Sequence, residues 1–304
     1  GRTHEHDHPA GRRDGNGPGS TENQVIPSHR QEVQPPADSR KLSAGGFFAV
    51  PPASVEQEMV PLGSRYRFSG EHHLYDGGPK TKCRNNIAAV RLLKELQAGG
   101  RPATPEEQIV LARFVGWGGL AYALTPDRSG WEKEYAEIRS LLTDEEFQAA
   151  QESTMTSYYT EQSVIRHIFH ALERFGFKGG NILDPAMGTG NFFSVLPETM
   201  AGSRLYGVEI DPVPGNIAKL LYPGADIQVT GFEKTRYPDQ FFDVVIGNIP
   251  FNSIRVDDPR YNRHSFRIHD YFLAKSLDKT RPGGILAVIT SRYTMNKASP
   301  SVRK

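Results

Sequence analysis

An acid and an asparagine stand at the ends of two apolar runs, 64 residues apart. In "FFDVVIGNIPF" (241–251), Asn248-Ile249-Pro250-Phe251 follows a run of aromatic and branched residues typical of a buried strand. Two readings fit this segment. Asn and Pro commonly end a strand in a turn. Alternatively, Asn248 Oδ1 and the Ile249 carbonyl would accept the two hydrogens of a planar amine, with Phe251 stacked on the attached ring. That grip discourages conjugation of the nitrogen lone pair with the ring and aims it at an electrophile, and Pro250 fixes the turn that presents the carbonyl. The acid is Asp184, which closes "NILD" and leads into "PAMGTGNFF". Gly188 and Gly190 there allow the backbone to approach a ligand where the next helix begins. No Lys-Ser/Thr pair follows the glycines, which argues against phosphate transfer. Glu209 ends "RLYGVE", 25 residues beyond Asp184. Doubly wound folds place a ribose-binding acid at about this spacing, which favours that role over an ordinary solvated acid at a strand end.

These residues need a sheet to bring them together. After about Met155, β-rich runs ("NILDPA", "RLYGVEI", "DIQVTGF", "FFDVVIGNI", "GGILAVIT") alternate with helix-compatible stretches at 190–200, 213–222 and 268–280. Alternation of this kind predicts a parallel α/β sheet with ligand sites at the carboxyl ends of its strands. Upstream, "NIAAVRLLKELQAGG" reads as a helix capped by Asn86 and stopped by Gly99-Gly100. Thr104-Pro105-Glu106-Glu107 is a capping box opening a helix through about Val115, and Thr143 with Glu146 repeats the signal. Three or four short helices are expected between about 85 and 153. Residues 1–40 hold only five hydrophobic residues and no aromatic, so disorder is expected there, followed by a Pro-broken linker to about Tyr66. The expected organisation is therefore a tail and linker over 1–66, a helical unit over 67–153, and the α/β domain over 154–304.

"ILDPAMGTGNFF", "YGVEIDP" and "VVIGNIPF", in this order, resemble the S-adenosylmethionine-dependent DNA adenine-N6 methyltransferases. "TSYYTEQSVIRHIFHAL" resembles the segment that precedes the glycine motif in the gamma arrangement of that family, and "DYFLAKSLDKTRPGGILAVIT" its later helix and strand. The resemblance covers about residues 153–296. It implies a Rossmann-like methyltransferase fold with S-adenosylmethionine as cofactor and DNA as partner. Tyr159 and Thr160 would hold the methionine end, with Asp184, Gly188 and Gly190 lining the same pocket. Glu209 would bind the ribose, and Ile210, Phe232 and Phe272 would pack around the cofactor adenine. Asn248, Ile249, Pro250 and Phe251 would be the catalytic tetrapeptide, usually Asn-Pro-Pro-Tyr/Phe, acting on a base flipped from the duplex. Three positions depart from the pattern. Glu161 replaces a proline, Gly231 stands where an acid commonly meets the cofactor adenine amine, and Ile249 replaces the first proline of the tetrapeptide. Glutamine methyltransferases of release factors share a similar loop behind a helical domain, and a methylase-like module without catalysis is the remaining alternative. "FVGWGGL" (114–120) ahead of this domain looks most like the large methylase–helicase proteins of phages and conjugative elements, which implies a helicase region carboxyl-terminal in the same polypeptide. With no recognition region after 290, the last sheet strands missing and Gly1 at the start, the chain is expected to be a piece of a longer protein.

Composition adds bounds. The chain has 304 residues and a formal net charge of +1, so nucleic-acid binding must rest on local features. Arg255, Arg260, Arg263 and Arg267, after the tetrapeptide, are candidate phosphate contacts; Lys80, Lys82 and Arg84, ahead of the expected first helix, read as a solvated loop. The single Cys83 excludes an internal disulfide framework and suits a reducing, cytoplasmic setting. Trp117 reads as a buried anchor. His4, His6 and His8 lie in the tail without fixed geometry, and His167 with His170 lacks a third ligand, so no metal site is expected.

Overall fold

The computed structural model describes residues 65–154, 160–252 and 254–291. The expected disorder of the tail, the histidines of "HEHDH" and the assignment of Tyr159 all lie outside the described residues.

Among the described residues, five strands form one parallel sheet: β1 (Asn181–Asp184), β2 (Arg204–Glu209), β3 (Asp226–Val229), β4 (Phe242–Asn248) and β5 (Thr280–Ile289). Their order is β3-β2-β1-β4-β5, the open, doubly wound α/β arrangement expected of a Rossmann-like fold. The order reverses between β1 and β4, which pair directly, Leu183 beside Val245. Asp184 and Asn248 therefore reach the same carboxyl edge at the switch point.

The strands alternate between two cores, as a period of two requires. Ile182, Leu205, Val244 and Ile246 face one side. Leu183, Val208 and Val245 face the other, together with Phe242. Phe242 joins the odd-numbered side at the point where the pairing of β4 with β5 shifts register, between Phe242 and Val244.

The first core is large because the helical segment shares it. Helices α1 (Pro79–Gly99), α2 (Pro105–Ala112), α3 (Glu132–Leu141) and α4 (Asp144–Ser153) contribute Ile87, Val90, Leu93, Leu111, Ile138 and Ala150, and α5 (Gln162–Arg174) adds Ile165, Phe169 and Leu172. Phe192 and Phe193 of the short α6 (Asn191–Ser194) and Ile217 and Leu221 of α7 (Pro212–Leu221) complete it. Each buried Leu, Ile or Phe contributes roughly 1.5–3 kcal/mol of transfer free energy. The core thus runs without a break across the change of sequence texture at 153/154. Backbone bonds reinforce the junction: Tyr66 N–H donates to Leu221 O and Phe68 N–H to Ser194 O, both at 2.9 Å. The second core lies beneath α8 (Ile268–Lys279), which supplies Tyr271 and Phe272.

Both capping boxes form as expected, at Thr104/Glu107 and Thr143/Glu146. Two helix boundaries differ from the sequence reading. The first helix begins at Pro79 after Gly78, because proline at its first position continues upstream of Asn86. Asn86 is instead fully buried inside it. Its amide donates to Gly116 O at 2.7 Å and accepts from Val115 N–H at 2.9 Å, tying down "FVGWGGL". That loop begins because α2 ends at Ala112 rather than near Val115, where Phe114 and Trp117 turn inward and pack edge to face at 5.5 Å. Lys80, Lys82 and Arg84 accordingly lie on α1, not in a loop, and Lys80 pairs with Glu134 at 2.6 Å and lies over the Trp131 ring. Among the described residues, no helix is long and apolar enough to cross a membrane.

Candidate functional site

The carboxyl edge is built around three acids. Asp184 ends β1 and is 1% exposed. Its Oδ1 accepts the Ala186 N–H at 3.2 Å, while Oδ2, also buried, has no hydrogen-bond partner among the described residues. Burial, and then repulsion from Glu209, push this carboxyl up to about 8 despite the Ala186 bond. Gly247, in β4, makes room for it: a Cβ there would come within 2.5 Å of Asp184 Oδ1. The glycine preceding Asn248 therefore lets the two strand ends close on each other.

Glu209 ends β2 and organises the glycine turn. Its Oε2 accepts the Gly188 N–H and its Oε1 the Asp211 N–H, both at 2.8 Å. Burial raises its pKa, against the pull of these N–H groups. Each oxygen retains a lone pair for a further donor. Gly190, at φ 87°, lies under the ring of Tyr222, whose hydroxyl donates to the Gly190 carbonyl at 2.8 Å. No side chain fits at that position. Asp211 caps α7 by accepting the Val213 N–H at 3.0 Å, and burial pushes it up to about 7. Asp-Pro ahead of an apolar helix is a legible capping signal, yet the closeness of Asp211 to Glu209 emerges only from the fold.

On the other face, Phe232 and Phe272 stand 5.2 Å apart at 38°, both buried. Ile210 is 72% exposed at the rim. Thr160 is buried just ahead of α5, while Glu161 is exposed and caps that helix with no side-chain bond. At the end of β4, Ile249 is buried and its N–H donates to Ile289 O at 3.1 Å. Asn248, Pro250 and Phe251 are partly exposed. The fold thus gathers Asp184, Gly188, Gly190, Glu209, Phe232, Phe272 and the 248–251 segment at the carboxyl side of one sheet.

Sequence reasoning passed over a buried polar cluster behind this edge. Lys275 Nζ, on α8, donates to Phe232 O at 2.8 Å and pairs with Asp258 Oδ2 at 3.0 Å. Tyr271 O–H donates to the same oxygen at 2.8 Å. Burial pushes Asp258 up, but the bonds from Lys275 and Tyr271 outweigh it and hold the carboxyl below its usual range. Nothing in the chain marks residues 258 and 275 as partners. The arginine set needs one correction. Arg260 is occupied internally, bonded to both Asp239 oxygens (2.9 and 2.8 Å) and to Asp278 Oδ2 (2.9 Å), because two acids from neighbouring elements flank it. Arg255, Arg263 and Arg267 are exposed, and no ion pair among the described residues engages them. His167 and His170 face each other at 6.3 Å on the surface of α5.

The N-6 DNA methylase family model matches residues 141–299. Defense against restriction protein B of Escherichia phage P1 is 28% identical over 210 residues, which are 67% of this chain and 8% of that protein. The methylase subunit of the type I restriction enzyme MjaIX from Methanocaldococcus jannaschii is 33% identical over 122 residues, 34% of this chain and 21% of that protein. The chain therefore spans only a small part of either relative. A solved type I restriction-modification methyltransferase subunit from Streptococcus thermophilus aligns with a TM-score of 0.39 and 18% identity, covering 65% of this chain and 47% of that one.

Proposed function

The chain belongs to the N-6 DNA methylase family, and from that premise we propose that it transfers a methyl group from S-adenosylmethionine to the N6 amine of adenine in DNA. The observation that carries the reading is the direct pairing of β1 with β4. It sets the buried Asp184 carboxyl group against the strand that ends in Asn248, so a cofactor at the glycine turn and an amine at the 248–251 loop would be neighbours.

The residues present fit the cofactor. Asp184 Oδ2 is a buried acceptor without a partner in the protein, which suits the ammonium of a methionine moiety. Glu209, already anchoring the turn, retains acceptor capacity for ribose hydroxyls. Thr160, and Tyr159 beside it, would close the methionine end, and Ile210, Phe232 and Phe272 would flank the adenine. When bound, S-adenosylmethionine supplies an electrophilic methyl on a sulfonium. The chain's own part is positional. Asn248 Oδ1 and the Ile249 carbonyl hold the two amine hydrogens of a flipped adenine, and Phe251 stacks on its ring. Only the carbonyl of residue 249 is used, so isoleucine serves there as proline does. No covalent enzyme intermediate is needed. Arg255, Arg263 and Arg267 would meet the phosphates next to the target. The reading extends to a helicase region in the same polypeptide, supported by the resemblance carried in "FVGWGGL".

The test is incubation with labelled S-adenosylmethionine and unmethylated DNA. Label is expected in N6-methyladenine, and Asn248→Ala should reduce its transfer by about 10²–10³-fold, a loss of the order of removing a positioned catalytic contact, while cofactor binding persists. Label in protein, or DNA labelling equal in the variant, would sink the reading.

A further inference from the structure

At the end of β3, Gly231 stands where the family pattern has an acid. Its backbone does not call for glycine: φ −67° and ψ 146° are open to any residue. Space is the reason for it. Gly231 is buried, and a Cβ built on it would lie 2.5 Å from Glu233 Cδ and closer still to both carboxylate oxygens. The Glu233 side chain thus folds back over its own turn. Its carboxylate occupies the place from which a side chain at 231 would project. That carboxylate is partly exposed and makes no hydrogen bond or ion pair among the described residues. The turn bearing it is held from below, since Lys275 Nζ donates to Phe232 O at 2.8 Å and reaches Glu233 O at 3.4 Å. The Phe232–Phe272 pair lies alongside.

We propose that Glu233 is a cofactor-binding, specificity-determining residue, its carboxylate accepting a hydrogen bond from the exocyclic amine of an adenine held against Phe232 and Phe272. The proposal rests on the methyltransferase reading. A carboxylate is an acceptor only, so it favours a 6-amino purine and repels a 6-oxo purine, whose edge presents a carbonyl oxygen. Gly231 and Glu233 together then replace the usual acid by one two residues later, and the departure at 231 costs the site nothing.

Calorimetric titration of the chain with S-adenosylhomocysteine and with its deaminated, 6-oxo counterpart tests this. Neither ligand carries the sulfonium, so the net charge near sulfur does not enter the comparison. The unmodified chain should prefer the amino form. Glu233→Ala should weaken that form about tenfold, as expected for a hydrogen bond to a charged acceptor, and leave the oxo form unchanged or tighter. Gly231→Asp combined with Glu233→Ala should restore the preference by returning the carboxylate to position 231. An unchanged preference in Glu233→Ala, or equal weakening of both ligands, overturns the proposal alone. Failure of the unmodified chain to bind either ligand overturns it together with the reading beneath it.

Discussion

At the scale of single residues, burial sets the chemistry of the carboxyl edge. The Asp184 pKa is pushed up to about 8 and that of Asp211 to about 7, in both cases chiefly by burial. A carboxyl raised in the fold binds its proton more tightly there than in the unfolded chain, where it titrates near 3.9. Its contribution to stability is therefore complete below about pH 4 and lost as pH rises toward 8. The unliganded chain should melt at progressively lower temperature between pH 5 and pH 8, at about 2–4 °C per kcal/mol lost. Asp184→Asn should flatten that decline; parallel melting curves for variant and parent would refute the assignment. The aspartate itself was legible, because an acid between an apolar run and a glycine turn is a pattern. Its protonation was not, since that depends on Gly247 and Glu209 closing over it from two other strands.

At the scale of elements, the buried cation Lys275 ties α8 both to the turn after β3 and to the segment following β4, beside the Tyr271–Asp258 and Arg260–Asp278 contacts. Lys275→Met would leave Asp258 charged and unpaired beneath the sheet edge, and breaking a buried pair in this way costs about 3–5 kcal/mol. Adding Asp258→Asn should recover most of that loss in thermal denaturation. If the double variant were no more stable than the single one, the pairing would not be what holds these elements. The segment after β4 carries a second consequence. With Arg260 committed to Asp239 and Asp278, only Arg255, Arg263 and Arg267 remain for phosphates. Arg255→Ala and Arg267→Ala should each lower the slope of log affinity for DNA against log salt by about 1, whereas Arg260→Ala should act mainly on stability. Unchanged slopes in the first two would remove this segment from the DNA contact. Sequence spacing offered four equivalent arginines, and only the arrival of two acids from other elements separated one from the rest.

At the scale of the whole molecule, the helical segment and the sheet melt as one or not at all, because they share a core that includes Leu93, Leu111, Phe169, Ile182 and Ile217. Calorimetry of the chain should give a single cooperative transition for the described region, and removal of residues 65–153 should leave a sheet that does not fold on its own. Two resolved transitions would contradict the shared core. The sequence by itself determined the parallel α/β class, the strand segments, both capping boxes and the residues gathered at the carboxyl edge. Those depend on local periodicity, on turn chemistry and on motifs written along neighbouring positions. Tertiary structure alone decided that Asn86 serves a loop thirty residues away rather than a helix start, that Lys275 joins Asp258, and that Glu233 fills the space above Gly231. Each depends on a neighbour whose position is set by packing; for Asn86 and Lys275 burial also makes the polar pairing obligatory, without marking it in the order of residues.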